Sequence, residues 1–274
     1  MPLTDIQRRV VAILKPFRTP HDYVAGGAAL NRQWARLSDD MDIFRDYRGH
    51  LPHNIQPELD ALRQAGLSIE VTTDTEWMVE VILRYYGFET KVQWLDEPET
   101  CRRFFPALDD DELGFRLHQA DLAVNKVLCA ARRRSAARDA VDLTTIVQNY
   151  APLGPLVWAL SGKDANLTPP RAIRAIRDIA FGYSDEEIRS VRMERGHTLT
   201  RTEVRQVLEP ALDLAAEYCD EAAPIELPGH LFVNETETPM AARAEDIARG
   251  IAKAIPVRDF TIIPTVHPHS TPQE

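Results

Sequence analysis

The hydrophobic pattern of the chain changes its period near residue 112, and this change constrains the fold more than any other feature. Before it, apolar and β-branched residues alternate with polar ones in the runs LSIEVTT, WMVEVILRYYG and FETKVQWL. Alternation is typical of strands, so these runs predict one mixed sheet. After it, apolar residues recur at helical spacing, as in FRLHQADLAVNKVLCAARR. We therefore expect an α/β (α+β) chain, with a mixed-sheet core in residues 1–115 and a mainly helical half in residues 116–274 that ends in a proline-rich tail.

Composition places the chain among ordinary globular proteins, because 44% of its 274 residues are hydrophobic and 27% are charged. No apolar run approaches the ~18 residues that a membrane span needs. The start MPLTDIQRRVVAILKPF spreads basic residues through its apolar pattern, which indicates an amphipathic helix and not a signal peptide. The three cysteines are far apart and odd in number. We expect a reduced, cytoplasmic protein with no membrane partner.

The net charge of −10 is unevenly distributed along the chain. Residues 206–247 hold ten acidic residues and one basic residue, Arg243, so the remainder is almost neutral. That remainder includes the basic run ARRRSAAR, residues 131–138. A polyanionic substrate is therefore compatible with the composition. The candidate contacts to RNA are Arg132, Arg133, Arg134 and Arg138; the alternative is a solvated helix end.

An Asp-x-Asp pair stands in the stretch DYVAGGAALNRQWARLSDDMDIF, which reads as a strand, a glycine turn, a short helix and a second strand. On a strand, Asp40 and Asp42 point to one face while Met41 and Ile43 point to the core. Two carboxylates roughly 6–7 Å apart repel each other, and a divalent cation removes that repulsion. Magnesium takes one or two carboxylates together with phosphates and waters. The pair is thus a candidate magnesium site, and its alternative is two solvated acids.

The glycine pair Gly26 and Gly27 follows a predicted strand and opens a predicted helix. Free backbone N–H groups at such a position favour a phosphate, and the lack of side chains lets a triphosphate approach the backbone. Glycine pairs also mark plain turns, and that alternative stays open. Together with the carboxylates, the pair predicts a nucleotide site.

Two blocks of sequence resemble a known family. Gly-Gly, a short helix and Arg-x-Ser-x-Asp-x-Asp on a strand resemble the nucleotidyltransferase superfamily related to DNA polymerase beta. Residues 118–143, HQADLAVNKVLCAARRRSAARDAVDL, are similar to the lysine and Arg-Asp motifs of the AbiEii/AbiGii-type nucleotidyltransferase toxins of type IV toxin–antitoxin and phage-defence systems. FETKVQWLDEPETCRRFFP is similar to the segment between these blocks. The resemblance covers about residues 20–150.

The resemblance implies a role for each matching position. The nucleotide-binding residues would be Gly26, Gly27, Arg36, Ser38 and Lys126. The magnesium ligands would be Asp40 and Asp42. Catalysis would rest on these carboxylates, on Lys126 at the triphosphate, and on Asp142 or Asp139, which would orient the lysine or act at the reaction centre. One departure stands out, because Gln93 occupies the place where many members of the superfamily carry a third carboxylate.

The implied activity is magnesium-dependent transfer of a nucleoside monophosphate from a nucleoside triphosphate to an acceptor. The resemblance implies that the acceptor is RNA, with the tRNA 3′ end favoured, that the protein is a toxin, and that it has a cognate antitoxin. A nucleotidyltransferase that modifies a small molecule or a protein is one alternative. The other is a catalytically degenerate module that binds nucleotide or RNA, and Gln93 is its best support.

Overall fold

The structure is a computed structural model that describes residues 3–47, 51–96, 102–132, 137–194 and 196–262. Its main element is a seven-stranded mixed sheet. The strands of this sheet are β1 (Asp22–Ala25), β2 (Asp40–Arg45), β3 (Ser68–Asp74), β4 (Met78–Tyr85), β5 (Phe88–Leu95), β7 (Leu108–Asp110) and β8 (Gly114–Arg116). They lie side by side in the order β3-β4-β5-β2-β1-β8-β7, and the two-residue strand β6 (Arg102–Arg103) lies outside this sheet.

Helices dominate the chain after the sheet. The helices before and between the strands are α1 (Asp5–Leu14), α2 (Gly26–Leu30), α3 (Leu51–Asn54) and α4 (Gln56–Gln64). The helices of the second half are α5 (Gln119–Arg132), α6 (Ala137–Asn149), α7 (Leu153–Lys163), α8 (Pro169–Ala180), α9 (Asp185–Arg189), α10 (Arg201–Glu217) and α11 (Ala244–Ala248). The short strands β9 (Leu231–Val233), β10 (Lys253–Ile255) and β11 (Arg258–Asp259) complete the described chain. The expected fold class, a mixed sheet followed by a mainly helical half, is confirmed.

The register of the central strands sets which side chains share a face. β2 runs parallel to β5 and antiparallel to β1, while β5 and β4 form an antiparallel hairpin. The hairpin turns at Tyr86 and Gly87, both of which have positive φ, as a tight two-residue turn requires. Helices α1, α3 and α4 pack against one face of β5, β4 and β3. The apolar residues of these strands alternate toward that face, so the polar positions face the opposite side.

Helix α1 begins with a capping box and fastens the segment that leads into β2. The Thr4 hydroxyl accepts from the Gln7 backbone N–H at 3.3 Å, and the Gln7 side-chain oxygen accepts from the Thr4 N–H at 2.9 Å. The Gln7 amide nitrogen then donates to the backbone oxygen of Ser38 at 2.9 Å. A buried side chain of the first helix therefore holds the backbone two residues before Asp40.

One buried apolar cluster extends from Leu3, just before α1, to Val233 in β9 and includes side chains from both the sheet and the helices. The last strand of the main sheet ends at Arg116, and α5 begins at Gln119. The division at residue 115 stays a prediction. Among the described residues, no helix combines the length and the apolar character that a membrane crossing needs. The predicted proline-rich tail, residues 263–274, lies outside the described residues.

Candidate functional site

A cavity of about 250 Å³ lies where β2 and β5 meet α2, α5 and α6. It brings together residues that are up to 112 positions apart in the sequence. Its lining residues are Gly26, Gly27, Arg36, Asp40, Asp42, Phe44, Gln93, Leu95, Leu122, Asn125, Lys126, Cys129 and Arg138. Seven of these thirteen were singled out by the sequence as candidate site residues: both glycines, Arg36, Asp40, Asp42, Lys126 and Arg138.

The two carboxylates of the Asp-x-Asp pair lie on one face of β2, while Met41 and Ile43 between and after them are buried in the core. Asp40 is 6% exposed, and its Oδ1 accepts a hydrogen bond from the Ser38 hydroxyl at 3.1 Å. Burial and the charge of Asp40 raise the pKa of Asp42 to about 6. The ionised form of Asp42 is therefore electrostatically disfavoured, and a cation bound beside it would stabilise that form.

The two glycines make room for the site's own side chains. Gly26 has a φ of +61°, and a Cβ there would lie 1.6 Å from Asp42 Oδ2. A Cβ on Gly27 would lie 2.1 Å from a guanidinium nitrogen of Arg36 and 2.7 Å from the Ser38 hydroxyl. Neither gap tolerates a methyl group without displacement of these side chains. Helix α2 has five residues, so its dipole adds little to phosphate binding.

Lys126 on α5 is buried and faces two carboxylates of α6. Its Nζ lies 2.8 Å from Asp139 Oδ1 and 2.9 Å from Asp142 Oδ2. Burial lowers the pKa of Lys126, but Asp142 and Asp139 outweigh burial, and the net shift is upward. Burial likewise opposes ionisation of Asp142, yet Lys126 and Arg36 hold its pKa below the ordinary value. Lys126 and Asp142 therefore stay charged at neutral pH, and the lysine is fixed at the cavity wall.

Asp142 also connects the helical half to the segment before β2. Arg36 Nε lies 2.5 Å from Asp142 Oδ1, and Arg36 is 2% exposed. The Asn31 side-chain amide donates hydrogen bonds to Asp142 Oδ1, at 3.0 Å, and to the backbone oxygen of Gly27, at 3.1 Å. The glycine turn, the arginine and the lysine are therefore held by a single carboxylate.

The basic run divides between two places. Arg138 on α6 lines the cavity, and its Nη1 lies 3.3 Å from Asp40 Oδ2. Arg132 at the end of α5 lies 2.6 Å from Asp164 and is 39% exposed along its side chain. Arg133 and Arg134 lie outside the described residues. The structure thus places one of the four predicted RNA contacts at the carboxylate pair.

Gln93 on β5 is the register partner of Asp42 and lines the cavity. Its amide nitrogen donates to Glu80 Oε2 at 2.5 Å, and Glu80 on β4 is in turn its register partner. Glu80 also accepts from the Thr72 hydroxyl at 2.7 Å and pairs with Lys91 at 3.1 Å. Burial raises the pKa of Glu80, but hydrogen bonds from Thr72, Lys91 and Gln93 lower it overall.

The residues at the cavity fit magnesium in part. Asp40 and Asp42 supply two carboxylates, and magnesium takes one or two carboxylates together with substrate phosphates and waters. The raised pKa of Asp42 shows that its neighbours do not fully stabilise its ionised form. In the described part of the chain, no three side chains of the His, Cys, Asp or Glu type converge on a possible metal position. A cation held here therefore needs oxygen donors beyond the two carboxylates.

Sequence reasoning did not single out Asn31, Asn125 or Cys129. Asn31 carries no signal in the sequence, because its partners Gly27 and Asp142 lie on separate elements. Asn125 and Cys129 share the cavity face of α5 with Leu122 and Lys126. The spacing i, i+3, i+4 and i+7 from Leu122 would have found them once Lys126 was placed in the site.

A larger cavity of about 690 Å³ lies between the end of α6, the start of α7 and α10. It contains none of the residues that the sequence singled out for chemistry, and apolar side chains such as Leu153 and Leu214 contribute most of its wall. The smaller cavity is the candidate functional site because it contains the paired carboxylates and the buried lysine.

No protein-family model matches the sequence, and neither does any curated protein. Among solved structures, the chain is similar to MenT4, a nucleotidyltransferase toxin from Mycobacterium tuberculosis H37Rv. The two chains are 13% identical, with a TM-score of 0.45, and the match covers 77% of this chain and 91% of the other. A likeness at this level does not extend to activity or substrates.

Proposed function

We propose that the protein is a magnesium-dependent nucleotidyltransferase that moves a nucleoside monophosphate from a nucleoside triphosphate to an acceptor hydroxyl. The observation that carries this proposal is the meeting of Asp40 and Asp42 with Lys126 and Arg138 in one cavity. Carboxylates and cations that line one cavity suit a polyanion that arrives with a divalent metal.

The chain's own residues divide the work of binding. Lys126 and Arg138 supply positive charge to the phosphates, and Asp139 and Asp142 hold the lysine in place. The glycine turn leaves backbone near Asp42 without side chains. Magnesium bound by Asp40 and Asp42 would neutralise phosphate charge and stabilise the attacking and leaving oxygens.

The transfer itself exchanges one bond at the α-phosphorus. The acceptor oxygen forms a bond to the α-phosphorus while the bond to the bridging oxygen breaks and pyrophosphate leaves. The hydroxyl proton is released as this bond forms. Gln93 cannot take it at neutral pH, so it passes to another base or to solvent.

The resemblance in sequence favours RNA, and the tRNA 3′ end in particular, as the acceptor, and a toxin with a cognate antitoxin as the biological setting. Arg138 at the cavity and the exposed Arg132 at the end of α5 support an anionic acceptor. A small molecule or a protein side chain is the alternative acceptor within the same chemistry. A binding module without catalysis is the alternative in another class, and the neutral Gln93 beside Asp42 favours it.

A labelling experiment tests the proposal. The protein is incubated with each α-labelled nucleoside triphosphate, magnesium and total RNA, and the labelled molecule is identified. We expect label in RNA, no label with chelator, and a loss of at least about a hundredfold for Asp42→Asn. Asp39→Asn is the matched control, because Asp39 is exposed and pairs with Arg192. Tight nucleotide binding without any labelled product would instead establish the binding module.

A further inference from the structure

Three side chains on neighbouring strands form a row that begins at the carboxylate pair. Asp42 on β2 is in register with Gln93 on β5, and Gln93 is in register with Glu80 on β4. Register partners on adjacent strands point to the same face, and the strands lie roughly 4.8 Å apart. Gln93 is therefore a direct cross-strand neighbour of Asp42 on the cavity side of the sheet.

The orientation of the Gln93 amide follows from the chemistry of its partner. The contact of 2.5 Å joins Gln93 Nε2 to Glu80 Oε2. An ionised carboxylate only accepts hydrogen bonds, so the amide nitrogen must face Glu80. Among the described residues, Gln93 Oε1 has no hydrogen-bond partner, and Gln93 lines the cavity together with Asp42. The amide oxygen of Gln93 is therefore the atom available to a ligand in the cavity.

Glu80 is itself held from two further directions. Thr72 donates its hydroxyl at 2.7 Å, and the ammonium group of Lys91 lies 3.1 Å away. These contacts fix the carboxylate that fixes the amide. The Gln93 side chain is therefore held in one orientation, whereas a half-buried glutamine without such partners would rotate freely.

The charge of the site favours a neutral donor at this position. Asp40 and Asp42 already repel each other, and Arg138, 3.3 Å from Asp40 Oδ2, offsets only part of that repulsion, so a third carboxylate would add to it. No third acidic, histidine or cysteine side chain completes a metal site in the part of the chain that the structure describes. An amide oxygen adds a ligand for a hard cation without adding charge.

The geometry points to Gln93 as a third, neutral oxygen ligand for a divalent cation held by Asp40 and Asp42, with Glu80 as the residue that orients it. This inference rests on the proposed function, since it concerns the same cavity. It adds a ligand, Gln93, and a positioning residue, Glu80, that the sequence did not assign. Asp42, Gln93 and Glu80 would then all serve to bind the cation.

Direct metal binding tests the inference without any turnover. Manganese binding to the full-length protein is measured by calorimetry without nucleotide, and magnesium is measured by competition. We expect Gln93→Leu to weaken manganese binding by about tenfold or more. Glu80→Gln should weaken it by at least about threefold, because two facing amides no longer fix the oxygen. Glu70→Gln, on the neighbouring strand and paired with Arg84, is the control and should leave affinity unchanged.

The outcomes separate the inference from the function on which it rests. Asp42→Asn should abolish binding, and thermal melting should show that each variant is folded. Affinity within twofold of the native value for folded Gln93→Leu, with Asp42→Asn still deficient, would overturn the role of Gln93 and leave the metal site standing. If the native protein binds no manganese, or if Asp42→Asn binds it normally, the metal site fails and the inference fails with it.

Discussion

Lys126 and Asp142 form a buried ion pair, with Nζ and Oδ2 2.9 Å apart, between two successive helices at the wall of the candidate site. The same carboxylate pairs with Arg36 from the segment before β2. One aspartate thus balances two cations that come from separate parts of the chain. Loss of one member of such a cluster leaves a buried charge without its partner, which is costly in a low-dielectric interior.

Asp142→Asn should lower the free energy of unfolding at pH 7 by about 3–5 kcal/mol. The folded pKa of Asp142 lies below its ordinary value of 3.8, because Lys126 and Arg36 outweigh the effect of burial. Its contribution is therefore present above pH 3.8 and is lost as the pH falls through the folded pKa. Urea unfolding of both proteins between pH 7 and pH 3 checks this. A difference in stability that stays constant across this range would contradict the ion-pair explanation.

Lys126→Met should weaken nucleoside triphosphate binding by about tenfold or more, because the cavity loses one of the cations facing the carboxylates. The dissociation constant is measured by calorimetry in magnesium. Lys163→Met is the matched control: Lys163 is also buried and pairs with an aspartate, Asp121, at 2.8 Å, but it does not line the cavity. Both variants should lose stability, and only the first should lose affinity. Equal affinities would remove Lys126 from the nucleotide site.

Gly26→Ala should destabilise the protein more than Gly87→Ala. Both glycines have positive φ, so the backbone conformation alone should make each alanine variant about 1–2 kcal/mol less stable. At Gly87 nothing lies within 4 Å of the added methyl group, whereas at Gly26 it overlaps Asp42 Oδ2 at 1.6 Å. Chemical denaturation measures the difference, and we expect at least about 1 kcal/mol more for Gly26→Ala. Equal losses would show that Asp42 moves aside without cost.

If the protein is a toxin, its expression without a partner should slow the growth of the host cell. Asp42→Ala should relieve this effect, since Asp42 is only half-buried and its carboxylate, the proposed metal ligand, can be removed without opening the core. Asp39→Ala should keep the native effect, because Asp39 is exposed and faces Arg192. Growth curves at matched protein levels give the measurement. Arrest of equal strength by a folded Asp42→Ala protein would count against an enzymatic cause.

The sequence predicted the local geometry of the carboxylate pair, because strand alternation alone places Asp40 and Asp42 on one face and buries Met41 and Ile43. The strands β3, β4 and β5 followed from the same period. The presence of Lys126 in the cavity was expected only from the resemblance to a family, since nothing in the spacing of α5 indicates which part of the sheet it meets.

Long-range partners explain what the sequence could not predict. Arg138 was considered as a contact to RNA, and the structure places it 3.3 Å from Asp40. Gly26 and Gly27 were assigned to phosphate, and the structure shows that they also accommodate Asp42, Arg36 and Ser38. Packing between elements decides such contacts, and periodicity describes each element by itself. The roles of these residues in nucleotide binding stay predictions.

The contacts of Asp142 with Arg36 and Asn31 have a kinetic consequence. They join α6 to the turn at Gly27 and to the segment before β2 through protein groups alone, so they do not require a bound ligand. The walls of the site are therefore already assembled when a nucleotide arrives. We expect nucleotide association to follow a single phase whose rate grows in proportion to nucleotide concentration, without the plateau that a slow opening of the helical half would impose.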